Sequence, residues 1–327
     1  MTLPSLFLSH GAPTLPLTET PARTFLAGLG TQLPRPKAIL VISAHWETEG
    51  PAVNAVAVNE TIHDFHGFPR PLYAMRYPAP GAAELAGRVA ALLRASGMDC
   101  DIDTRRGLDH GAWVPLLLMY PDADIPVLQL SVQPHLGAAH HLRVGRALQA
   151  LQDDGVLIIG SGSMTHDLSE FRGHGLDDPA PAWVTGFADW CHDALTSGRT
   201  DDLLNYRELA PFARKNHPSE EHFLPLFGAL GAAGTDAVAE RLHASATFAI
   251  LRMDVYAFKA AGDSSRDAAQ GAAVAPKKSA APARRRQPPG LQWTGGFGPV
   301  DVAEIIDAMQ PRVLLQIRSN RINLAIR

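Results

Sequence analysis

The stretch from Lys37 to Trp46, KAILVISAHW, constrains the fold of this chain more than any other. An apolar run rich in β-branched residues follows Pro36, and it ends in small and polar residues with His45 among them. A short, continuous apolar run of this kind predicts a strand that is buried on both faces of a sheet. Ligands bind just beyond the carboxyl ends of such strands, so His45 lies where a functional side chain is expected.

Similar apolar runs alternate with helical patterns along the chain. Helices are predicted at 20–28 and 181–195, after Gly81, within 107–120 and up to Leu151, and further strands at 5–9, 52–58, 100–104, 125–132, 156–160 and 247–258. Gly28 and Gly30 are expected to end the first helix, and Asn54 to leave the strand at 52–58 less buried. The alternation predicts an α/β fold, with a central mixed, largely parallel sheet flanked by helices in a single domain.

The composition of the chain changes after about residue 262. Ala, Pro, Gln and Ser dominate there, with the basic runs Lys277-Lys278 and Arg284-Arg285-Arg286. We expect residues 1–262 to form the folded domain, and residues 263–327 to be an Ala/Pro/Arg-rich tail that is disordered or weakly structured. A nucleic-acid or localisation patch is the alternative interpretation of the basic runs, but matches this short are common by chance.

Charge and composition argue against several classes of protein. The net charge of −4 combines an acidic body with a basic tail, and an acidic body does not favour nucleic-acid binding. No apolar run approaches the ~20 residues that span a bilayer, and the N-terminus lacks the features of a secretory signal. The two cysteines form neither a metal motif nor a disulfide framework, so we expect a cytoplasmic protein; a homo-oligomer is left open.

Three predicted strands end close to a histidine. His10 follows SLFLS, His45 follows ILVISA, and His166 follows VLIIGSGSMT. One histidine after a strand is more often a hydrogen-bonded structural residue than a ligand. Because the carboxyl ends of parallel strands meet at one edge of a sheet, three such histidines predict a shared site. With 14 histidines against two cysteines, any metal site should be built from histidines.

The common short motifs of catalysis are missing from the chain. It has no HExxH zinc motif, no GxSxG nucleophile elbow, and neither GxGxxG nor GxxxxGK[ST] for nucleotides. His217 and His222, in HPSEEH, are five residues apart and would not share one helix face. The GSGS sequence at Gly160–Ser163 could cradle an anion but is too short to predict one. These absences argue against a zincin, an α/β-hydrolase and a nucleotide-binding protein.

Six ordered blocks nevertheless resemble one family. They are LSHGAP, VISAHWE, HDFHGFP with LYAMRYPAPG, LDHGAWVPL, GSGSMTHDL and HPSEEHFLPL. Together they are similar to the class III extradiol ring-cleaving dioxygenases, in the branch of the 4,5-DOPA dioxygenases. The resemblance runs from Leu3 to about Phe258, and the tail has no counterpart in it. It implies an oxidoreductase that opens the aromatic ring of a small catechol, DOPA-like or related, with O₂.

The resemblance also implies a site built on a non-haem metal. The implied ligands are His10, His45 and His222, with Glu221 as the alternative third ligand because other branches use a glutamate. Fe(II) is expected for activity, since three protein ligands leave open positions for a catechol and O₂. Zn²⁺ could occupy the same site, but it has no redox chemistry.

The remaining implied roles concern protons and the substrate. His166 is the implied acid/base, because an imidazole near neutral pKa can both take and give a proton. The implied substrate-binding residues are His110, His66 and Phe68. The segment HDFHGFP departs from the pattern of the family in having His63 and His66 where tyrosines are expected. The identity of the catechol therefore stays open.

Two other functions remain as alternatives, a zinc-dependent hydrolase and a non-catalytic metal-binding protein on the same fold. The hydrolase lacks an evident carboxylate base besides Glu220 or Glu221. Histidines outside the six blocks are expected to have structural or solvated roles. His135, His140 and His141 are expected to be solvated near a helix start, and His217 to shape the turn before Pro218. Trp46 and Trp113 are expected in the core.

Overall fold

The computed structural model describes residues 3–261 of the 327-residue chain. The predicted tail from residue 263 onwards lies outside these residues. Within them, no helix has the length and apolar character needed to cross a membrane.

Strands and helices alternate through most of the described chain. The strands are β1 (Ser5–Ser9), β2 (Ala38–Glu47), β3 (Ala52–Asn54), β4 (Asp101–Asp103), β5 (Val127–Val132), β6 (Val156–Gly162), β7 (Ala237–His243), β8 (Ala246–Thr247), β9 (Leu251–Arg252) and β10 (Val255–Ala260). The helices are α1 (Pro21–Gln32), α2 (Arg70–Ala74), α3 (Ala83–Ala95), α4 (His110–Met119), α5 (Gly137–Leu148), α6 (Ala150–Asp153), α7 (Ala182–Thr196), α8 (Thr200–Leu204), α9 (Tyr206–Leu209), α10 (Ala213–Asn216) and α11 (Leu224–Ala232).

Eight of the strands form one sheet in the order β4-β3-β5-β2-β6-β1-β10-β7. The four central strands, β5, β2, β6 and β1, are parallel to one another. Antiparallel pairs join β3 to β5, β10 to β1 and β10 to β7. The predicted α/β fold with a mixed, largely parallel sheet is therefore confirmed.

Burial of β2 on both faces explains its continuous apolar sequence. Ile39 and Val41 pack into one hydrophobic cluster with residues of α1 and α4. Leu40 and Ile42 point to the other face and pack with residues of α3 and α5. Because successive side chains of a strand point to opposite faces, a strand between two helical layers needs apolar residues at every position.

The first helix is longer than predicted. α1 continues through Gly28 and Gly30 to Gln32. A Cβ atom at Gly30 would lie 2.0 Å from the carbonyl oxygen of Met119, so this glycine lets α1 lie directly against the end of α4. The prediction that glycine ends this helix was wrong, because close helix packing and not helix termination requires Gly30.

The strand predicted at 52–58 is shorter and more buried than expected. β3 ends at Asn54, which is fully buried. The Asn54 side chain donates hydrogen bonds to Asn59 Oδ1 and the Arg106 carbonyl, and it accepts one from the Gln129 backbone N–H. A buried amide with all these partners costs little to bury, so the polar residue does not mark an exposed strand.

The end of the domain also differs from the prediction. The single strand predicted at 247–258 is divided among β8, β9 and β10. Phe248 and Ala249 have φ values of 52° and 58°, a left-handed turn that interrupts the strand although both residues are apolar. β7, at the edge of the sheet, was not predicted, and most of its residues are half-buried.

Candidate metal centre and active site

The histidines predicted at strand ends converge. β2, β6 and β1 are neighbours in the sheet, so their carboxyl ends lie at one edge. His10 directly follows β1, and its backbone N–H donates to the carbonyl of Gly162 at the end of β6. His45 lies near the end of β2. His222 precedes α11, and its carbonyl accepts the backbone N–H of Ser163. The end of β6 thus joins two of the segments that carry histidines.

Three imidazole nitrogens face one another at this edge. Nε2 of His45 lies 3.0 Å from Nε2 of His10 and 3.2 Å from Nε2 of His222. Two nitrogens bound about 2.1 Å from one metal ion, at angles between 90° and 109°, would lie roughly 3.0–3.4 Å apart. The spacing therefore matches a shared metal ion.

Hydrogen bonds on the far sides of two rings fix their tautomers. Ser161 Oγ donates to the Gly111 carbonyl, so it accepts from Nδ1–H of His10 at 3.0 Å. Glu221 Oε1 accepts from Nδ1–H of His222 at 3.1 Å. Both rings consequently present an unprotonated Nε2 to His45. Converging lone pairs repel each other, and a cation between them would remove that repulsion.

Burial keeps these imidazoles neutral and ready to bind a metal. Desolvation, followed by repulsion from neighbouring histidines, lowers the pKa of His10 and of His222 well below its ordinary value. Burial is also the main reason that the pKa of His45 is lowered to about 3. Metal ligands must be deprotonated, so protons compete little for this site near neutral pH.

Glu221, the alternative third ligand, lies behind His222 and not beside His45. Its Oε1 also accepts a hydrogen bond from Ser219 Oγ at 3.0 Å. His222 lies between this carboxylate and His45, with one ring nitrogen toward each. Glu221 therefore orients His222, and a carboxylate behind a ligating imidazole is a common arrangement around protein-bound metals.

His110 lies against His45 and His10 at the start of α4. Its ring centroid is 3.9 Å from that of His45 and 5.4 Å from that of His10. Asp64 accepts hydrogen bonds from both the backbone N–H and Nδ1 of His110, each at 2.9 Å. Burial acts to lower the pKa of His110, but the Asp64 carboxylate outweighs it, so the pKa is raised. Asp64 was not among the predicted site residues, because an acidic loop residue is usually solvated.

His166 stacks on the other side of the ligand set. Its ring is parallel to that of His222, with a centroid distance of 3.4 Å and an angle of 13°. Its backbone N–H donates to the Asn216 carbonyl at 2.8 Å. Burial lowers the pKa of His166 to about 3, so the imidazole is neutral but a weaker base than the near-neutral imidazole expected from the sequence.

The GSGS sequence has a packing role. A Cβ atom at Gly160 would lie 2.1 Å from the Pro225 carbonyl oxygen, and one at Gly162 would lie 2.1 Å from that of His222. The glycines therefore let β6 approach the segment that carries His222. Carbonyl oxygens repel anions, so the structure does not support an anion cradle here.

Aromatic side chains extend the site beyond His110. Phe65 is buried and makes edge contacts with His110 at 5.7 Å and with Phe68 at 5.3 Å between centroids. Phe68 is buried, whereas His66 is exposed to solvent. His63 is half-buried, and its Nε2 donates to the Leu72 carbonyl at 3.1 Å, which holds the loop against α2. Of the predicted substrate-binding residues, His110 contacts the ligand histidines directly and Phe68 does so only through Phe65.

Several other predictions can be compared with the structure. Trp46 and Trp113 are buried, as expected. His217 is buried, and its Nε2 donates to the Met164 carbonyl, so it fastens the segment before Pro218. The prediction that His141 is solvated was wrong. It is buried because its Nδ1 donates to the Gly137 carbonyl and its Nε2 accepts the Gln133 backbone N–H, which satisfies both ring nitrogens.

Comparison with known proteins identifies the class to which this site belongs. Residues 6–258 match the family described as the catalytic LigB subunit of aromatic ring-opening dioxygenase. The chain belongs to this family. It is an extradiol ring-cleaving dioxygenase, and thus an oxidoreductase, as the six sequence blocks implied.

Individual relatives cover most of the described chain. A protein of Beta vulgaris named 4,5-DOPA dioxygenase extradiol is 49% identical over 258 residues, which are 78% of this chain and 96% of the relative. A protein of Escherichia coli K12 with the same name is 43% identical over 233 residues, 70% of this chain and 85% of the relative. A crystal structure of an uncharacterised Escherichia coli K12 protein aligns with a TM-score of 0.64 and 35% identity, covering 78% of this chain and 99% of the other.

Family membership implies an aromatic substrate, O₂ and dependence on a metal. Among the described residues, His10, His45 and His222 form one group whose ligand atoms could hold a metal ion. His45 with Asp64 and His110, and His166 with Glu221 and His222, form two overlapping groups. The triad of three histidines is the group whose Nε2 atoms all face one another.

Proposed function

We propose that this enzyme opens the ring of a DOPA-like catechol with O₂ at an Fe(II) ion held by His10, His45 and His222. The observation that carries the proposal is the pair of Nε2 distances, 3.0 and 3.2 Å, from His45 to two imidazoles whose far sides are held by hydrogen bonds. Fe(II), when bound, would supply the redox chemistry that links an electron-rich ring to O₂. The names of the Beta vulgaris and Escherichia coli relatives support the catechol assignment.

His222 rather than Glu221 is the third ligand in this proposal. The carboxylate of Glu221 is engaged with Nδ1 of His222 and with Ser219. As a hydrogen-bond partner it orients the ring and increases the basicity of Nε2. Glu221→Gln should therefore weaken metal binding without abolishing it, whereas His222→Ala should abolish it.

His166 and His110 handle the hydroxyl groups of the substrate. His166 is a neutral imidazole stacked on a ligand, placed to take a proton from one catechol hydroxyl and return it later in the reaction. His110 has its Nδ1 proton committed to Asp64, so its Nε2 can accept a hydrogen bond from the second hydroxyl. Phe65 and Phe68 provide apolar contacts on the His110 side for a flat aromatic ring.

The structure does not favour the hydrolase alternative. A hydrolytic site needs a carboxylate free to activate water. Asp64 is bound to His110 through both oxygens, Glu220 accepts a hydrogen bond from the Tyr206 hydroxyl, and Glu221 is held by His222 through Oε1, which leaves only its buried Oε2 without a partner. The expected cytoplasmic location and the open question of a homo-oligomer stay predictions from the sequence.

Anaerobic reconstitution tests the proposed function. The protein is loaded with Fe(II), mixed with DOPA or with members of a catechol panel, and then exposed to O₂. We expect a yellow ring-fission product and consumption of O₂ with the catechol, and no turnover by zinc-loaded protein. His166→Ala should keep its metal and lose turnover. An iron-loaded protein that opens no ring across the panel would contradict the proposal.

A further inference from the structure

Asp64 is bound to His110 through both of its carboxylate oxygens. Oδ1 accepts the His110 backbone N–H at 2.9 Å, and Oδ2 accepts from Nδ1 of the same residue at 2.9 Å. Oδ2 is 3.6 Å from Nδ1 of His45, too far for a good hydrogen bond. Asp64 is an exposed loop residue, but its side chain is only 22% exposed and that of His110 is 8% exposed, so the imidazole side of these bonds is shielded from water.

Two bonds from one planar group fix both the position and the tautomer of His110. The backbone bond places the carboxylate relative to the start of α4, and the side-chain bond then sets the orientation of the ring. An ionised carboxylate can only accept hydrogen bonds, so the proton of the neutral imidazole must lie on Nδ1. In the neutral form Nε2 is therefore left without a proton; Asp64 also raises the pKa of His110, so this form requires a pH above that raised value.

We propose that Asp64 is a positioning residue that holds His110 in the Nδ1–H tautomer, so that Nε2 accepts a hydrogen bond from a hydroxyl of the bound catechol. The assignment rests on the proposed function for the identity of the substrate. With the other tautomer, Nε2–H would point at the hydroxyl hydrogen, and the hydroxyl would have to turn away from its productive orientation.

The substitution Asp64→Asn tests this proposal most directly. The Asn side-chain oxygen can still accept the His110 backbone N–H, which leaves the amide nitrogen facing Nδ1. Because an amide nitrogen only donates, Nδ1 must become the acceptor and the imidazole proton moves to Nε2. The loop stays anchored while the tautomer is reversed.

We expect Asp64→Asn to lower kcat by about 10–100-fold, the usual effect of removing the hydrogen-bond partner behind a site histidine. Zinc should still bind with a stoichiometry of one ion per chain. Asp103→Asn is the matched control, since Asp103 accepts the backbone N–H groups of Arg105 and Arg106 outside the site. The control should keep wild-type kcat.

The tautomer itself can be observed by ¹⁵N NMR of histidine-labelled, zinc-loaded protein, with His110→Gln used to assign the resonances. We expect wild-type His110 to be protonated at Nδ1, and Asp64→Asn to shift the proton to Nε2. A wild-type His110 protonated at Nε2 would overturn the proposal, as would an Asp64→Asn protein with unchanged kcat.

Two further results would also overturn it. Loss of zinc from Asp64→Asn would show that Asp64 holds the metal site itself, and a second zinc ion that binds the wild-type chain but not Asp64→Asn would show that Asp64 is a ligand with His45 and His110. The NMR and zinc measurements need no ring cleavage. If the wild-type protein cleaved no catechol but showed Nδ1–H at His110, the proposed function would fail while the orientation of His110 by Asp64 would stand.

Discussion

Three of the site imidazoles owe their orientation to a neighbour that forms a hydrogen bond on the far side of the ring. Ser161 acts on His10, Glu221 on His222 and Asp64 on His110, and each leaves a ring nitrogen directed into the site. These partners are a hydroxyl and two carboxylates, which differ in chemistry but serve the same geometric purpose. Such partners hold the ligands in place before a metal arrives, so metal binding costs less ordering of side chains.

Gly111 also affects the orientation of a site imidazole, because the absence of a side chain there leaves space for the His45 ring. A Cβ atom there would lie 2.6 Å from Ser43 Oγ and 2.9 Å from Cδ2 of His45. Gly111→Ala should therefore displace the His45 ring, even though alanine is the better residue for a helix. We expect zinc affinity to fall by about 10–100-fold, measured by titration against a competing chelator.

Gly87→Ala in α3 is the control for this substitution, because nothing lies within 4 Å of its added Cβ. It should leave zinc affinity unchanged. Equal zinc affinity in Gly111→Ala and wild type would show that the space at Gly111 does not position His45.

His141 should make the metal-free protein sensitive to acid. Burial lowers its pKa to about 4, below the ordinary value of about 6.5. The unfolded chain therefore binds more protons between these values, and the stabilising contribution present above pH 6.5 is lost as the pH falls to 4. The loss amounts to about 3 kcal/mol.

The measurement is the free energy of unfolding in urea as a function of pH. Relative to wild type, His141→Gln should flatten the dependence between pH 6.5 and 4, because glutamine does not titrate. His135→Gln, at an exposed position of the same segment, should leave the pH dependence of the free energy of unfolding unchanged. A wild-type slope retained in His141→Gln would contradict the prediction.

At the scale of elements, the site depends on which strands and helices can touch. The order β2-β6-β1 brings two histidines to one edge, and the glycines of β6 let the segment before α11 approach closely enough to add the third. Helix α4 completes the arrangement by placing His110 at its first residue. Close backbone contact is therefore a requirement of both the fold and the metal centre.

The two glycines of α1 should respond to alanine in opposite directions. At Gly28 the nearest atom to an added Cβ is in the flexible Gln32 side chain, 3.5 Å away, whereas at Gly30 it is the Met119 carbonyl oxygen at 2.0 Å. Gly28→Ala should stabilise the protein by roughly 0.5–1 kcal/mol through a less flexible unfolded chain.

Gly30→Ala should destabilise the protein by roughly 1–3 kcal/mol, because α1 must move away from α4. Urea denaturation of both variants checks the pair. The two glycines lie in one helix, so differences in helix propensity cancel. The same sign for both substitutions would contradict the role given to Gly30.

At the scale of the whole molecule, one sheet with helices on both faces carries the entire described site. Its histidines come from residues 10–222, and the last strand, β10, ends at Ala260. The family match likewise ends at residue 258. That residues 1–262 form the catalytic domain stays a prediction from the sequence.

Truncation after residue 262 tests this domain boundary. We expect the shortened chain to retain its zinc affinity, and its free energy of unfolding to stay within about 0.5 kcal/mol of that of the full chain. Zinc titration and urea denaturation of both chains provide the comparison. A truncated chain that does not fold, or that loses its metal, would show that the tail belongs to the domain.

Much of this architecture could be predicted from local sequence patterns. The buried strand at Lys37–Trp46, the strand ends at His10 and His45, and the alternation of strands and helices follow from hydrophobic periodicity, which reflects local burial. Asp64, the extent of α1 and the burial of Asn54 and His141 could not be predicted in this way. The first three depend on a partner that is distant in sequence or on space left by a glycine, whereas His141 is satisfied by the nearby Gly137 and Gln133, whose hydrogen-bond directions the residue pattern does not reveal.

The sequence by itself determined the α/β class, the candidate histidines and, through six ordered blocks, the resemblance to ring-cleaving dioxygenases. Only the tertiary structure brought three Nε2 atoms together, distinguished the position of His222 from that of Glu221, and placed Asp64 behind His110. The physical reason is that burial follows from the periodicity of apolar residues along the chain, whereas a metal site depends on distances and hydrogen-bond directions between remote segments. His45 therefore begins as one residue at the end of a buried strand, and its partners are defined only when the sheet and its helices have packed.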